Sequence, residues 1–547
     1  MNFLGRALRY WHTLRHLKPV QFHGRARFRF LKPRLRLLSA APLRRAPGGP
    51  WQVPAQREAS MEAPGVFRFL NKMCELPPAG GWNAPGLEKL WLYNLHYFDD
   101  LNALGAAGRR AWHEALLTRW ITENPPTVGN GWEPYPISLR VVNWIKWSLA
   151  GNPLPEKALA SLALQVRWLA LRLEWHLLGN HLFANAKALL FAGLFFEGKE
   201  AEGWLRTAFA IIARELPEQV LADGGNFERS PMYHAIFLED LLDLVNIAGA
   251  FPGLVASTVV DAWREAAGRM QVWLDSMIHP DGEIALFNDA AFGIAPSPAL
   301  LRAYASRLGV IVTPCDSGLL HLKDSGYIRL QSGPAIALLD VAPIGPDYLP
   351  GHAHADTLSF ELSLWKHRVI VNGGTSRYGV GPERLRERRT RSHSTLEIGD
   401  VDSSEVWGGF RVARRAHPFG LQISVEGDTL QVACSHDGYR RLAGRPVHRR
   451  SWVLRADGLT IEDKIEGSAP SAVARFILHP EVSVVVVDGQ SWAFALPQGQ
   501  SFRMRVEQGR GQLETASYAS RFGDVQQTRC LAVVLTDGRA LTRLDWG

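Results

Sequence analysis

The stretch GHAHADTLSFEL (residues 351–362) sets His352, His354 and Asp356 at every second position, just ahead of an alternation in which Leu358, Phe360, Leu362 and Leu364 interleave with Thr357, Ser359, Glu361 and Ser363. That period of two is the pattern of a half-buried strand. Extended backward, it puts two imidazoles and a carboxylate, all groups that move protons or bind ligands, in line with the apolar face. At a rise of about 3.3 Å per residue, neighbours on one face stand roughly 6.6 Å apart, so they converge on one ligand only if another element supplies further contacts. Either the histidines cap a strand after a Pro350–Gly351 turn, or they form one wall of a site.

Further reactive groups interrupt the chain upstream. NGWEPYPISLRVVNW (130–144) offers Trp132, Glu133, Tyr135, Arg140, Asn143 and Trp144, and LLGNHLFANAKALL (177–190) places Asn180, His181 and Asn185 at a helix start. DGGNFERSPMYHAIFLEDLL (223–242) holds Asn226, Glu228, Arg229, Tyr233 and His234, and LFNDAAFG (286–293) adds Asn288 and Asp289. Singly, each has a structural explanation: Asn180 can cap a helix, Pro136 and Pro231 can start one, and tryptophans fill cores. Recurring at the starts of successive helices, they would share one rim of a helical layer. Trp, Tyr, Asn, Glu and Arg together suit a groove that stacks sugar rings and pairs with carboxylates.

The elements that must position these groups change character along the chain. From about residue 85 to 307, apolar stretches at helical spacing are separated by short Gly/Pro/Asn punctuation, which implies antiparallel helical hairpins. From about 316 the period becomes two, with turn residues between the strands, which argues for a sheet-on-sheet second half. The four cysteines, Cys74, Cys315, Cys434 and Cys530, are far apart and form no CxxC pair, so they give neither a disulfide framework nor a zinc-finger spacing.

The net charge of +8 is concentrated in residues 1–45, which hold twelve Lys or Arg and no acid; the remainder has 49 basic against 53 acidic residues. Phe3, Ala7, Tyr10, Trp11, Leu14 and Leu17 recur there at helical spacing between Arg6, Arg9, Arg15 and Lys18. Such a basic amphipathic helix either lies on a membrane surface or packs on the body with its arginines solvated. Neither a secretory signal nor an apolar run of about 18 residues is visible. The expected location is therefore cytoplasmic, peripheral to the inner membrane, with the periplasm as the alternative. Nucleic-acid binding is a poor fit, because no recognition motif accompanies the basic stretch and the body is slightly acidic. The run RLRERRTRSH, with Arg384, Arg386, Arg388, Arg389 and Arg391, reads either as a solvated loop or as a polyanion clamp.

With NH at 180–181, ERSPMYH at 228–234, HAHAD at 352–356 and RSHSTL at 391–396, the chain resembles the heparinase II/III family of polysaccharide lyases, related to alginate lyases, over roughly residues 85–547. The resemblance implies a multidomain α and β fold: an N-terminal α/α toroid of helical hairpins followed by a C-terminal antiparallel β-sandwich. The divisions are then a basic segment (1–60), the toroid (61–310) and the sandwich (311–547). It also implies a carbon–oxygen lyase that cleaves an acidic, uronate-containing polysaccharide by removing the C5 proton and expelling O4, linked to bacterial exopolysaccharide or surface-glycan metabolism. A catalytically inactive glycan-binding or assembly protein on the same fold is the alternative, and hydrolysis by paired carboxylates, with Glu228 and Asp289 as candidates, is a third route.

By the same resemblance Asn180, helped by His181, would neutralise the uronate carboxylate. Tyr233 would be the acid, and also the base where both groups lie on one sugar face, with His352 a second base or carboxylate partner. Trp132, Glu133, Arg140, Glu228, Arg229, His234, Asn288 and Asp289 would contact the substrate. No cofactor is required. A zinc in the β-domain would use His354, Asn372 and His393, although Asn372 stands where the heparinase II pattern has Asp and a neutral amide is a weak zinc ligand. Without metal, His354 and His393 would orient His352. The expected partner is an acidic polysaccharide or oligosaccharide; the sugar, the endo or exo mode and the oligomeric state stay open.

Overall fold

The computed structural model describes residues 3–44, 47–313 and 318–546, so Cys315 lies outside the described residues. The basic segment forms two helices, Phe3–Leu14 and Pro19–Phe30, rather than one. The break falls where Pro19 disfavours the helical conformation of the residue before it. A small antiparallel sheet follows (Met61–Ala63, Val66–Phe69, Lys72–Glu75), which the helical periodicity further along gave no reason to expect.

Helices then run in antiparallel hairpins from Lys89–Tyr97 to Pro298–Arg307. Gly179–Phe195 and Pro231–Ala250 are buried on nearly every side and form the inner layer, as helices apolar all round must. Their few charges are paired internally: Lys187 bonds Asp240 at 2.7 Å and also Asp243, and Lys146 reaches Asp243 at 2.5 Å. The second of these helices begins where Ser230, as N-cap, accepts a bond from the Tyr233 N–H at 3.2 Å with Pro231 at the first position. That cap fixes the start of the turn carrying Tyr233.

The β half consists, among the described residues, of two large antiparallel sheets and a two-stranded ribbon. A nine-stranded sheet includes Tyr327–Ser332, Ala335–Asp340, Phe360–Leu364, His367–Val371 and Ala472–Leu478; an eight-stranded sheet includes Thr429–His436, Val447–Arg455 and Gly458–Glu466. Phe360, Leu362, Trp452, Leu454, Phe476, Phe494 and Leu531 interdigitate between them as one sandwich core.

The structure corrects the half-buried strand. Phe360–Leu364 is buried at all five positions, because its polar face meets the helical half instead of solvent. Glu361 accepts from His279 Nε2 at 2.9 Å, from the Leu286 N–H at 3.2 Å and from the Asn372 N–H at 3.1 Å, and Arg368 stands 3.5 Å away. Ser363 meets the other His279 nitrogen at 2.8 Å. Residues 352–359 are not strand but a loop turned by Leu358 at φ 62°, which frees the two imidazoles from strand geometry. Replacing Glu361 by Ala removes the buried acceptor of His279 Nε2 and of the Leu286 and Asn372 N–H groups, while Arg368 keeps Asp281. Chemical denaturation should show a loss of about 3–5 kcal/mol; a loss under about 1 kcal/mol would mean that this contact does not join the halves.

Candidate active site

The loop carrying Asn288 and Asp289 and the loop carrying His352 and His354 clasp each other across the two halves. Asp289 donates its backbone N–H to the His352 carbonyl at 2.9 Å, and Asn288 Oδ1 accepts from the His354 N–H at 2.9 Å. The Asp289 carboxylate is wholly buried and meets three partners: His352 Nδ1 at 2.9 Å, His354 Nε2 at 2.8 Å and the Arg384 guanidinium, one arm of which stands at 2.7 Å. Burial alone would raise its pKa, but Arg384 and the two imidazoles outweigh that and hold it well below the usual carboxylate range.

An ionised Asp289 accepts only, so both histidines must donate to it, and this settles the tautomers. In the neutral imidazole, the His352 lone pair is then on Nε2, the nitrogen on the Glu228 side. His354 is left with an acceptor Nδ1, which takes the bond from His393 Nε2 at 3.2 Å.

Tyr233, from the helical half, lies flat against His352 with ring centroids 3.8 Å apart, and its hydroxyl is 3.0 Å from that of Tyr378. Burial, then Tyr378 and Asp289, push the Tyr233 phenol well above its ordinary value, so it keeps its proton. Glu228, 3 % exposed, faces His352 Nε2 at 3.6 Å. The Asn180 backbone N–H lies on the carboxylate's other side, yet neither Glu228 oxygen completes a hydrogen bond of good geometry. Burial, the largest influence, pushes the Glu228 carboxyl up.

Asn180 and His181 occupy the first turn of Gly179–Phe195, a helix end whose partial positive charge favours an anion. Gly179 has φ 54°, a left-handed conformation that favours glycine, and it packs closely on the Leu349 side chain of the β half. His181 Nδ1 meets Glu174 at 3.2 Å and its ring packs on Tyr135 at 4.5 Å. Burial opposes the His181 charge, but Glu174, reinforced by Glu228, raises its pKa. His181, His352 and the Asn180 backbone N–H are thus near Glu228, and Tyr233 stacks on His352.

Several expected substrate contacts are spent elsewhere. Trp132 is core, stacked near Trp120 and donating to the Asn124 carbonyl at 3.2 Å. Arg140 is wholly buried over Trp120 and bonds Gln165 and the His96 and Gly131 carbonyls. His234 has both nitrogens occupied, by the Asn226 N–H and the Met270 carbonyl, and burial lowers its pKa to about 3. Arg229, turned away by a positive φ of 57°, donates to the Ser325 carbonyl and lines a separate cavity of about 340 Å³. Asn288 ties together His354, Asp356 and the Arg229 carbonyl, and Glu133 is paired with Lys89 at 2.9 Å and with Tyr93.

The polyanion clamp does not form as read. Arg384 is committed to Asp289, while Arg388 is buried on the Ala353 carbonyl at 2.9 Å. Asp356, pushed up to about 6 by burial, faces Asn288 rather than the cleft.

The zinc set does not fit. The Asn372 amide donates to Ser359 at 3.4 Å and its oxygen accepts from the Ser394 N–H at 3.1 Å, while the two imidazoles bond each other and Asp289. Among the described residues no group of three or more His, Cys, Asp or Glu could hold a metal ion. Glu174 and Tyr378 escaped the sequence reading, since neither stands in a motif; only their contacts reveal them.

This helical layer docked on a sandwich is shared with known proteins. A crystal structure of heparinase III superimposes with a TM-score of 0.68 at 18% identity, covering 86% of this chain and 79% of that one. Heparan sulfate lyase from Pedobacter heparinus gives 0.56 at 16% identity, covering 96% and 87%. The architecture is therefore an α/α toroid joined to a β-sandwich. The Heparinase II/III N-terminus pattern matches residues 108–306 and the Heparinase II/III-like, C-terminal pattern residues 316–546. The chain belongs to the heparinase II/III family.

Two relatives named heparin-sulfate lyase match in sequence. That of Bacteroides stercoris is 33% identical over 318 residues, 54% of this chain and 45% of its own; that of Bacteroides thetaiotaomicron is 30% identical over 404 residues, 64% and 55%. The chain thus spans about half the length of these curated relatives.

Asp289→Asn would let the side chain donate to His352 and upset its tautomer. Turnover in whichever activity the site performs should fall about 10²–10⁴-fold with little change in KM; an unchanged turnover would remove His352 from the chemistry.

Proposed function

We propose that the chain is a polysaccharide lyase acting on an acidic, uronate-containing polysaccharide by β-elimination. The observation that carries this reading is the stacked pair of Tyr233 and His352, a phenol that keeps its proton and an imidazole held by Asp289 through Nδ1, brought together from opposite halves. His352 Nε2 takes the C5 proton, the electrons of that bond form the C4–C5 double bond, and the C4–O4 bond breaks as Tyr233 gives its proton to the departing oxygen. Asn180 and a protonated His181, at the positive end of their helix, neutralise the uronate carboxylate as charge develops on it.

Asp289, held by Arg384, fixes the His352 ring, and His354 with His393 fixes Asp289; these are positioning residues, and no step passes through a metal. The hydrolytic alternative loses support because Asp289 is ion-paired and fully bonded and so is not available as an acid, base or nucleophile. The substrate class rests on the relatives' names, heparin-sulfate lyases, and on the cationic His181 beside the helix start.

Two measurements test the reading. Ultraviolet absorbance of the 4,5-unsaturated uronate should rise when the protein meets a panel of acidic polysaccharides, and Tyr233→Phe should lower kcat about 10²–10⁴-fold. Saccharide binding without absorbance on any substrate would favour the inactive glycan-binding alternative. In Glu174→Gln, loss of the main carboxylate that raises the His181 pKa leaves burial, opposed only by the weaker influence of Glu228, to lower it. The descending alkaline limb of kcat/KM should then move to lower pH, and a limb that stays in place would remove His181 from carboxylate neutralisation.

A further inference from the structure

We propose that residues 3–44 form a docking surface for an anionic lipid bilayer, which the segment meets flat, without crossing it. The argument is independent of the lyase reading. One side of the helix pair is fixed to both halves of the protein. Trp407 donates to Thr13 at 3.1 Å and packs edge-on with Tyr10; Lys18 bonds Glu218 and lies over the Tyr348 ring; Phe28 is held between His176 and the Arg172 guanidinium. Gly24 meets the backbone at Trp175 and His176, where a β-carbon would stand 2.8 Å from the nearest atom. The helices therefore form a fixed shelf.

The segment also leaves large apolar groups exposed, on the helices and on the chain that follows them. Phe30 is 80 % exposed, Leu37 75 % and Trp11 63 %, with Phe22, Leu31 and Leu38 also exposed. So much apolar surface on one segment marks an interaction site rather than the scatter normal on a soluble surface. Between these groups stand Arg25, Arg27, Arg29, Lys32, Arg34 and Arg36, of which all are exposed and none is paired with a carboxylate among the described residues. The segment contributes no acid of its own.

The pattern selects its partner. A soluble polyanion would use the cations but would gain nothing from Phe30–Leu31 and Leu37–Leu38. A bilayer with anionic headgroups uses both, taking rings and aliphatic tips at the acyl boundary while the arginines meet phosphate. Among the described residues no helix is long and apolar enough to cross a membrane, which fits a surface contact.

The test is co-sedimentation of the full chain with vesicles of phosphatidylcholine alone or mixed equally with phosphatidylglycerol, at low and high salt. Binding should require phosphatidylglycerol and weaken with salt. The double variant Phe30→Ser/Leu37→Ser should bind about tenfold more weakly, while thermal unfolding and any activity on soluble oligosaccharide stay as in the parent. Failure to sediment with anionic vesicles overturns the proposal. So does binding indifferent to the double substitution, or retention on immobilised heparin without vesicle binding, which would make the surface a polysaccharide site. Loss of lyase activity with vesicle binding intact would count against the proposed function and leave this one standing.

Discussion

One buried carboxylate organises the centre of the molecule. Asp289 belongs to the helical half, yet its bonds to Arg384, His352 and His354 all run into the β half. A charge taken out of water at this depth is costly unless partners surround it, and here the compensation is also the scaffold of the site. The same residue fixes the tautomer of His352 through its side chain and the position of the 352 loop through its backbone N–H. Ser230 extends the arrangement: its hydroxyl donates to the Asp289 carbonyl while capping the helix that carries Tyr233. The two groups that meet face to face are therefore placed from a common point.

The interface around this point is polar and buried. His279 with Glu361, Arg229 with the Ser325 carbonyl and Tyr327 with the Arg229 carbonyl are contacts between buried or half-buried groups, and each needs its partner from the other half. Apolar packing alone would allow the sheet to slide on the helices. Directional bonds to buried groups do not, because every slipped arrangement leaves donors or acceptors unsatisfied.

Much of this was legible in the sequence where the signal was periodic. The change of period near residue 316 separates the toroid from the sandwich, and the stretches NH, ERSPMYH and HAHAD contain His181, Tyr233 and His352, of which the fold brings His181 and His352 near Glu228 and stacks Tyr233 on His352. What failed did so for physical reasons. Alternation along 358–364 carries no information about what covers the polar face, so a strand buried on both sides read as half-exposed. Arg140, Arg384 and Arg388 looked like ligands for anions because composition does not show that carbonyls, or a single buried aspartate, already satisfy a guanidinium. Trp132 and His234 have the residue types of a sugar groove, but their backbone positions aim them inward. Glu174 and Tyr378 act through contacts between segments far apart in sequence, and no local pattern announces them.

The clasp between residues 288–289 and 352–354 also bears on how such a protein can change over generations. Two folds joined in one chain are ordinarily free to be exchanged among relatives as modules. Here Tyr233 and His352, the proposed acid and base, come from different modules, and Asp289, which holds His352, comes from the side of Tyr233. A recombination point between the toroid and the sandwich would part Asp289 from Arg384 and His352, and would also divide the small apolar cluster in which Trp273 and Phe287 pack with Tyr327 and Leu338. These loops are therefore expected to be inherited together, as one unit lying across the boundary that the two folds suggest.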